Sequence, residues 1–151
     1  MARSGFDFKE LKRWHGKIQR LDETDKDRLF RECANELAAR LLSKVIPRTP
    51  VGQYPAGSGK VGGTLRRGWT GGEDAASYAK SLNVRRQGSM YTVEIINPVY
   101  YASYVEYGHR TVSGGWVKGK HFLKISEREV LESAPSVLSR KIEAFFKEYF
   151  R

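Results

Sequence analysis

At 151 residues the chain has room for one domain with a proper core and is too short for two independent ones, and no stretch approaches the roughly 18 apolar residues of a membrane span. The single cysteine, Cys33, excludes an internal disulfide, and the lack of an apolar run near the N-terminus argues against export through a signal peptide, so a soluble protein folding in a cytoplasm is expected. The net charge of +10 is unevenly placed: residues 1–20 hold six basic and two acidic groups, 44–70 five basic and none acidic, 109–124 four basic and none acidic, and 125–151 five of each. Positive charge in the N-terminal arm and the loops suits either a surface that meets a polyanion or plain solubility.

In chain order, Leu11, Trp14, Ile18 and Leu21 recur at helical intervals in a narrow seam, and Gly16 within it costs about 1 kcal/mol against alanine. This arm, residues 1–22, is expected to be a marginal helix that docks on its own domain or on a neighbour. A stronger helix begins near Thr24 or Asp25, either of which can cap it. Its stripe of Leu29, Phe30, Cys33, Ala34, Leu37, Ala38, Leu41, Leu42 and Val45 predicts an amphipathic, core-facing helix ended by Pro47 and Pro50, with Cys33 a small buried hydrophobe.

Residues 47–72 are rich in glycine and proline and carry no acidic group. The spacing is not that of a phosphate-binding loop, because Gly52 stands too far before Gly59 and Lys60, and Val61 occupies the place of the magnesium-binding hydroxyl. A long basic loop is expected, closed by a strand over Thr64–Thr70 that bears Leu65 and Trp69. Tyr78–Arg86 and Met90–Asn97 alternate apolar and polar residues and predict a hairpin turning at Gln87-Gly88.

Between Pro98 and Gly108 the spacing predicts a helix of about two and a half turns, with Tyr100, Tyr104 and Tyr107 on one face and Tyr101 and Val105 beside them. Such aromatic density suits packing together with an interface, since tyrosine combines contact area with a polar tip. Tyr100, Tyr101, Tyr104 and Tyr107, with Trp69 and Trp116, are therefore the candidate residues for an interface with another subunit or protein. His109–Lys120 reads as a loop or irregular strand. The last helix carries Val130, Leu131, Ala134, Val137, Leu138, Ile142, Phe145, Phe146 and Tyr149, with Ser126 and Glu129 as a capping box and Pro135 as a kink near Leu131. The fold class is α+β: a small antiparallel sheet packed by a long helix from the N-terminal half and a long kinked C-terminal helix, with 23–151 as a single domain.

No catalytic arrangement accompanies these elements. His15, His109 and His121 sit in unrelated contexts, and no nucleophile elbow, zinc spacing or dinucleotide fingerprint occurs, so neither an enzyme nor a cofactor or metal is expected.

The order Arg48-Thr49-Pro50-Val51-Gly52, then Gly63-Thr64-Leu65-Arg66-Arg67 with Trp69, then Asn97-Pro98, Tyr101-Ala102-Ser103-Tyr104-Val105-Glu106-Tyr107-Gly108 and finally Phe122-Leu123 resembles the tail-component family of tailed bacteriophages typified by the tenth gene product of a lambdoid phage. The resemblance runs from about Asp25 to the C-terminus. It implies a non-enzymatic virion protein of the neck or tail-completion type, assembled in the host bacterial cytoplasm. Such a protein forms a homo-oligomeric ring, expected to be a hexamer, that meets the tail tube or sheath and the head-completion proteins and has no membrane association. The basic loop, with Arg48, Lys60, Arg66 and Arg67, then either faces DNA in a central channel without reading sequence or serves as an assembly arm. The competing class is a free basic nucleic-acid-binding module, although the positive residues lie in glycine-rich loops rather than on a recognition helix.

Overall fold

The computed structural model describes residues 15–150. Leu11 and Trp14 of the N-terminal seam lie outside these residues. Residues 15–19 are helical, and Ile18 and Leu21 pack against the cluster of Leu29, Cys33, Ile142, Phe145 and Phe146.

The first long helix, α1, spans Glu23–Arg48. Its cap is Asp22 rather than Thr24 or Asp25: the Asp22 carboxylate accepts the Asp25 N–H at 2.8 Å, and Glu23 and Asp25 complement the dipole from the first turn. Pro47 does not stop the helix, because in its last turn the missing N–H removes a single bond. The chain leaves helical geometry at Thr49, whose N–H still bonds Val45 and Ile46 carbonyls. The last helix, α5, spans Phe122–Tyr149 and runs on through Pro135. It starts before the expected capping box. Ser126 lies inside it, fully buried, donating to the Phe122 carbonyl at 2.7 Å.

These two helices pack antiparallel and enclose two clusters of side chains. Leu29 and Cys33 of α1 meet Ile142, Phe145 and Phe146 of α5 in one. In the other, Ala38, Leu42 and Val45 meet Phe122, Leu65, Trp69 and Ala79. Burial pushes the Cys33 thiol up to about 11, as removing a thiolate from water requires.

Between the long helices the chain forms short elements, and here the periodicity misleads. Thr64–Arg67 is a helix, α2, not a strand. Leu65 and Trp69 are four apart, a spacing that puts both on one side of a strand or of a helix, so the pattern alone does not choose between them. Ala75–Ser81 is also a helix, α3, where a strand was expected from Tyr78; Asp74 caps it by accepting the Ser77 N–H at 3.2 Å. Strands β1 (Val84–Gln87) and β2 (Met90–Val93) form the expected hairpin in shorter form, pairing Val84 with Val93 and Gln87 with Met90. The turn is therefore Gly88-Ser89 rather than Gln87-Gly88, with Gly88 at φ 61. Beyond β2 the alternation persists without ladder bonds: Val93, Ile95 and Val99 are half-buried against α1 while Glu94 and Ile96 face out.

A helix of one and a half turns, α4 (Ala102–Tyr107), is followed by β3 (Gly108–Arg110) and β4 (Trp116–Lys118). The latter two pair antiparallel as a second hairpin, so His109–Lys120, expected as a loop or irregular strand, is a loop flanked by two short strands. Among the described residues the sheet content is thus two separate two-stranded hairpins rather than one small sheet, and the mixed helix and strand class is α+β. No helix among the described residues is long and apolar enough to cross a membrane.

Candidate functional site

The tyrosine segment is anchored before its helix begins. The Asn97 amide donates to the Leu65 carbonyl at 2.8 Å and its oxygen accepts the Val99 N–H at 3.2 Å, which ties the approach to α2 and to the core. Tyr100 and Tyr101 then form a turn, leaving α4 shorter than the expected helix of two and a half turns. Gly108 ends it at φ 87.

The two sides of α4 differ sharply. Inward, Tyr101, Ala102 and Val105 pack on the core, and the Glu106 carboxylate is buried. Its oxygens accept the Leu123 N–H at 2.9 Å and the Lys124 N–H at 3.0 Å, so Glu106 caps α5 from another element. This explains where α5 starts, since His121 before it lies at φ 47 and offers no side-chain cap. The chain leaving β4 is strapped to the same spot: the Lys120 N–H reaches the Val105 carbonyl at 2.8 Å, and a Cβ on Gly119 would overlap the Glu106 carbonyl oxygen.

Outward, Tyr100 is 87% exposed, Tyr104 56% and Tyr107 66%, and Trp116 of the adjoining hairpin is 62% exposed. The Tyr104 ring stands 5.9 Å from that of His109. Arg110, Lys118, Lys120 and Lys124 are exposed on the same segment, which has no carboxylate between residues 109 and 124. Exposed tyrosine and tryptophan thus share this segment with positive charge that no carboxylate of residues 109–124 balances. Tyr101 is half-buried, with its ring 5.1 Å from that of Tyr100. Trp69 belongs to the core, only 3% exposed, with its indole N–H on the Thr49 hydroxyl at 2.8 Å and its ring edge-on to Phe122.

Around the basic loop the arginines bind within the chain. Arg48 donates to Glu129 at 2.8 Å and to the Ser126 hydroxyl at 2.9 Å, with Lys44 at 3.4 Å from the same carboxylate. The Arg48 hydrogen bond holds the Glu129 carboxyl below the usual range, against the opposing pull of desolvation. Arg66 lays its guanidinium on the Thr49 carbonyl at 2.8 Å and the Pro47 carbonyl at 3.0 Å, at the negative end of α1. Arg67 reaches the Gly62 carbonyl at 3.3 Å, and the Lys60 ammonium lies 5.7 Å from the Tyr54 ring centre. At the other end of α1, Asp27 joins Arg31 at 2.7 Å and the Tyr91 hydroxyl at 3.1 Å, fastening the first hairpin, and the Arg31 hydrogen bond lowers the Asp27 carboxyl. Among the described residues no group of three or more His, Cys, Asp or Glu is placed to hold a metal.

The HK97-gp10-like family of bacteriophage tail components matches this chain over residues 13–108. The chain belongs to that family. It is accordingly a structural component of a phage tail, located in the virion and working in contact with other virion proteins. The match begins earlier than the similarity read from the sequence, within residues 1–22, and ends at Gly108, so all of the β3–β4 hairpin past its first residue and all of α5 lie beyond it. Neither the curated proteins nor the solved structures contain a match.

Glu106 and Asn97 escaped the sequence reading as anchors of the site. Both stand in the blocks that carry the family resemblance, but the signal there is dominated by tyrosines, and a carboxylate between Val105 and Tyr107 looks like surface until the α5 N-terminus is placed against it.

Proposed function

We propose that this tail component forms a homo-oligomeric ring, a hexamer, at the neck or upper tail of a tailed phage or phage-tail-like particle. There it completes the tail and meets the tail tube or sheath on one side and the head-completion proteins on the other. The observation that carries this reading is the division of α4. Its inward side is committed to the fold through Glu106, while Tyr100, Tyr104, Tyr107 and the neighbouring Trp116 are left facing solvent, at a density that a free monomer has no use for. Residues 1–22 act as an arm on a domain formed by 23–151.

For the basic loop, the intrachain contacts of Arg48, Arg66 and Arg67 favour the assembly arm over a DNA-lined channel, because guanidinium groups held on carbonyls and a carboxylate have fewer donors left for phosphates. Deleting the gene from the particle that encodes it and supplying the chain in trans tests the proposal. Without the chain, negative-stain images should show heads and tails that fail to join, and complementation should return joined particles containing several copies per tail. Normal joined particles in its absence would end the reading.

A further inference from the structure

A groove of about 470 Å³ lies open to solvent between α1, α5 and the extended chain after β2. Leu37 and Leu41 line one side, Val130 and Leu131 the other, and Ile95 lies between the helices' contributions in sequence and in space, so the lining is mostly apolar. Leu131 is more than half exposed. Glu94 and Glu127 border the same groove, both exposed, and neither joins an ion pair with a described residue. In a chain of net charge +10, this is an apolar surface with a negative edge.

The loop over residues 50–63 has the complementary character. Val51, Tyr54 and Val61 are exposed on it, Val61 at 77%, and Lys60 lies over the Tyr54 ring. No acidic residue occurs from 44 to 70. Its two arms press together, since a Cβ on Gly62 would overlap the Gly52 carbonyl oxygen, so the loop leaves and re-enters the domain through a narrow neck. Within one chain it packs beside Tyr101 and Val105, and none of its residues lines the groove.

We propose that the loop of one copy seats Tyr54 and Val61 in the groove of the next, with Lys60 set against Glu94 and Glu127. The groove is of the size of a small-ligand cleft, suited to a few projecting side chains rather than to the aromatic surface spread over α4 and a hairpin. The contact joins two different patches, and a heterologous contact repeated head to tail is what closes a ring. The inference therefore rests on the ring reading and names a subunit contact within it.

Val61→Cys and Leu131→Cys, introduced together in a Cys33→Ala chain, test it by treating assembled particles with a short bismaleimide. The expected result is a ladder at multiples of the chain mass, with each single variant remaining monomeric. Several copies per tail without a ladder would overturn the loop assignment and leave the ring reading standing, whereas a single copy per tail would overturn both. A ladder from Trp116→Cys with Leu131→Cys, in place of the Val61→Cys pair, would give the groove to the aromatic surface and refute the proposal. In a second measurement, Glu94→Lys with Glu127→Lys should lower incorporation into particles by about tenfold, and adding Lys60→Glu should restore it. Unchanged incorporation, or no recovery, would refute the charge pairing.

Discussion

Between α1 and α5 the buried contacts are apolar, from Leu29 against Phe145 and Phe146 at one end to Leu42 and Val45 near Phe122 at the other, and ion pairs such as Arg48 with Glu129 lie at their edge. The short elements beside the Phe122 end share in that core through Leu65, Trp69 and Ala79, and each adds polar contacts. Arg66 on two carbonyls, Asn97 on the Leu65 carbonyl, Trp69 on Thr49 and Glu106 on two amides are each a single polar fixture. Buried area is shared over many side chains and tolerates small changes, whereas a polar fixture fails when one partner is removed. A surface that presents aromatic groups to other proteins can be built on little core if fixtures of the second kind hold it.

The strongest challenge to the framework side is Phe122→Ala, which removes a 1% exposed ring shared by α5, Trp69 and α1. It should cost about 3–5 kcal/mol in urea unfolding. A loss under about 1 kcal/mol would move Phe122 out of the core.

Next in size is Glu106→Ala, which leaves two amides of α5 without their acceptor and should cost about 2–4 kcal/mol. Glu106→Gln keeps one acceptor oxygen and should cost less, and hydrogen exchange at Leu123 and Lys124 should quicken in both. Protected amides there in Glu106→Ala would show that the cap is dispensable.

Acid sharpens the comparison, because Glu129 and Asp27 lie on the framework surface and both have lowered carboxyl pKa values, from hydrogen bonds to Arg48 and Arg31. A lowered folded-state pKa means stability that is present above the unfolded value and lost as pH falls through the folded one. The melting temperature should therefore hold above about pH 5 and decline below about pH 4. Glu129→Gln should make that decline shallower, and an identical slope would show that the Arg48 contact contributes nothing to folding.

The smallest change in stability, within about 0.5 kcal/mol, is expected for Tyr100→Ser with Tyr104→Ser, since both side chains face solvent. Incorporation into particles should nevertheless fall. Normal incorporation of the double variant would remove these tyrosines from any interface, and a large loss of stability would return them to the core.

The sequence by itself determined the two long helices, the α+β class, the buried Cys33 and the first hairpin, because heptad-like and alternating patterns are local consequences of burying one side of a helix or strand. It also carried the family, through short blocks that survive outside any periodicity. Tertiary structure decided the rest. Leu37 and Leu41 share the stripe of Leu42 and Val45, yet they line an open groove, because α5 and the chain after β2 stop short of covering them. Thr64–Arg67 is a helix whose Arg66 reaches the end of α1, and Trp69 went inward while Trp116 stayed out. The start of α5 was set by Glu106, seventeen residues from the amide it caps, and no pattern local to either position records a partner that only the folded chain brings within reach.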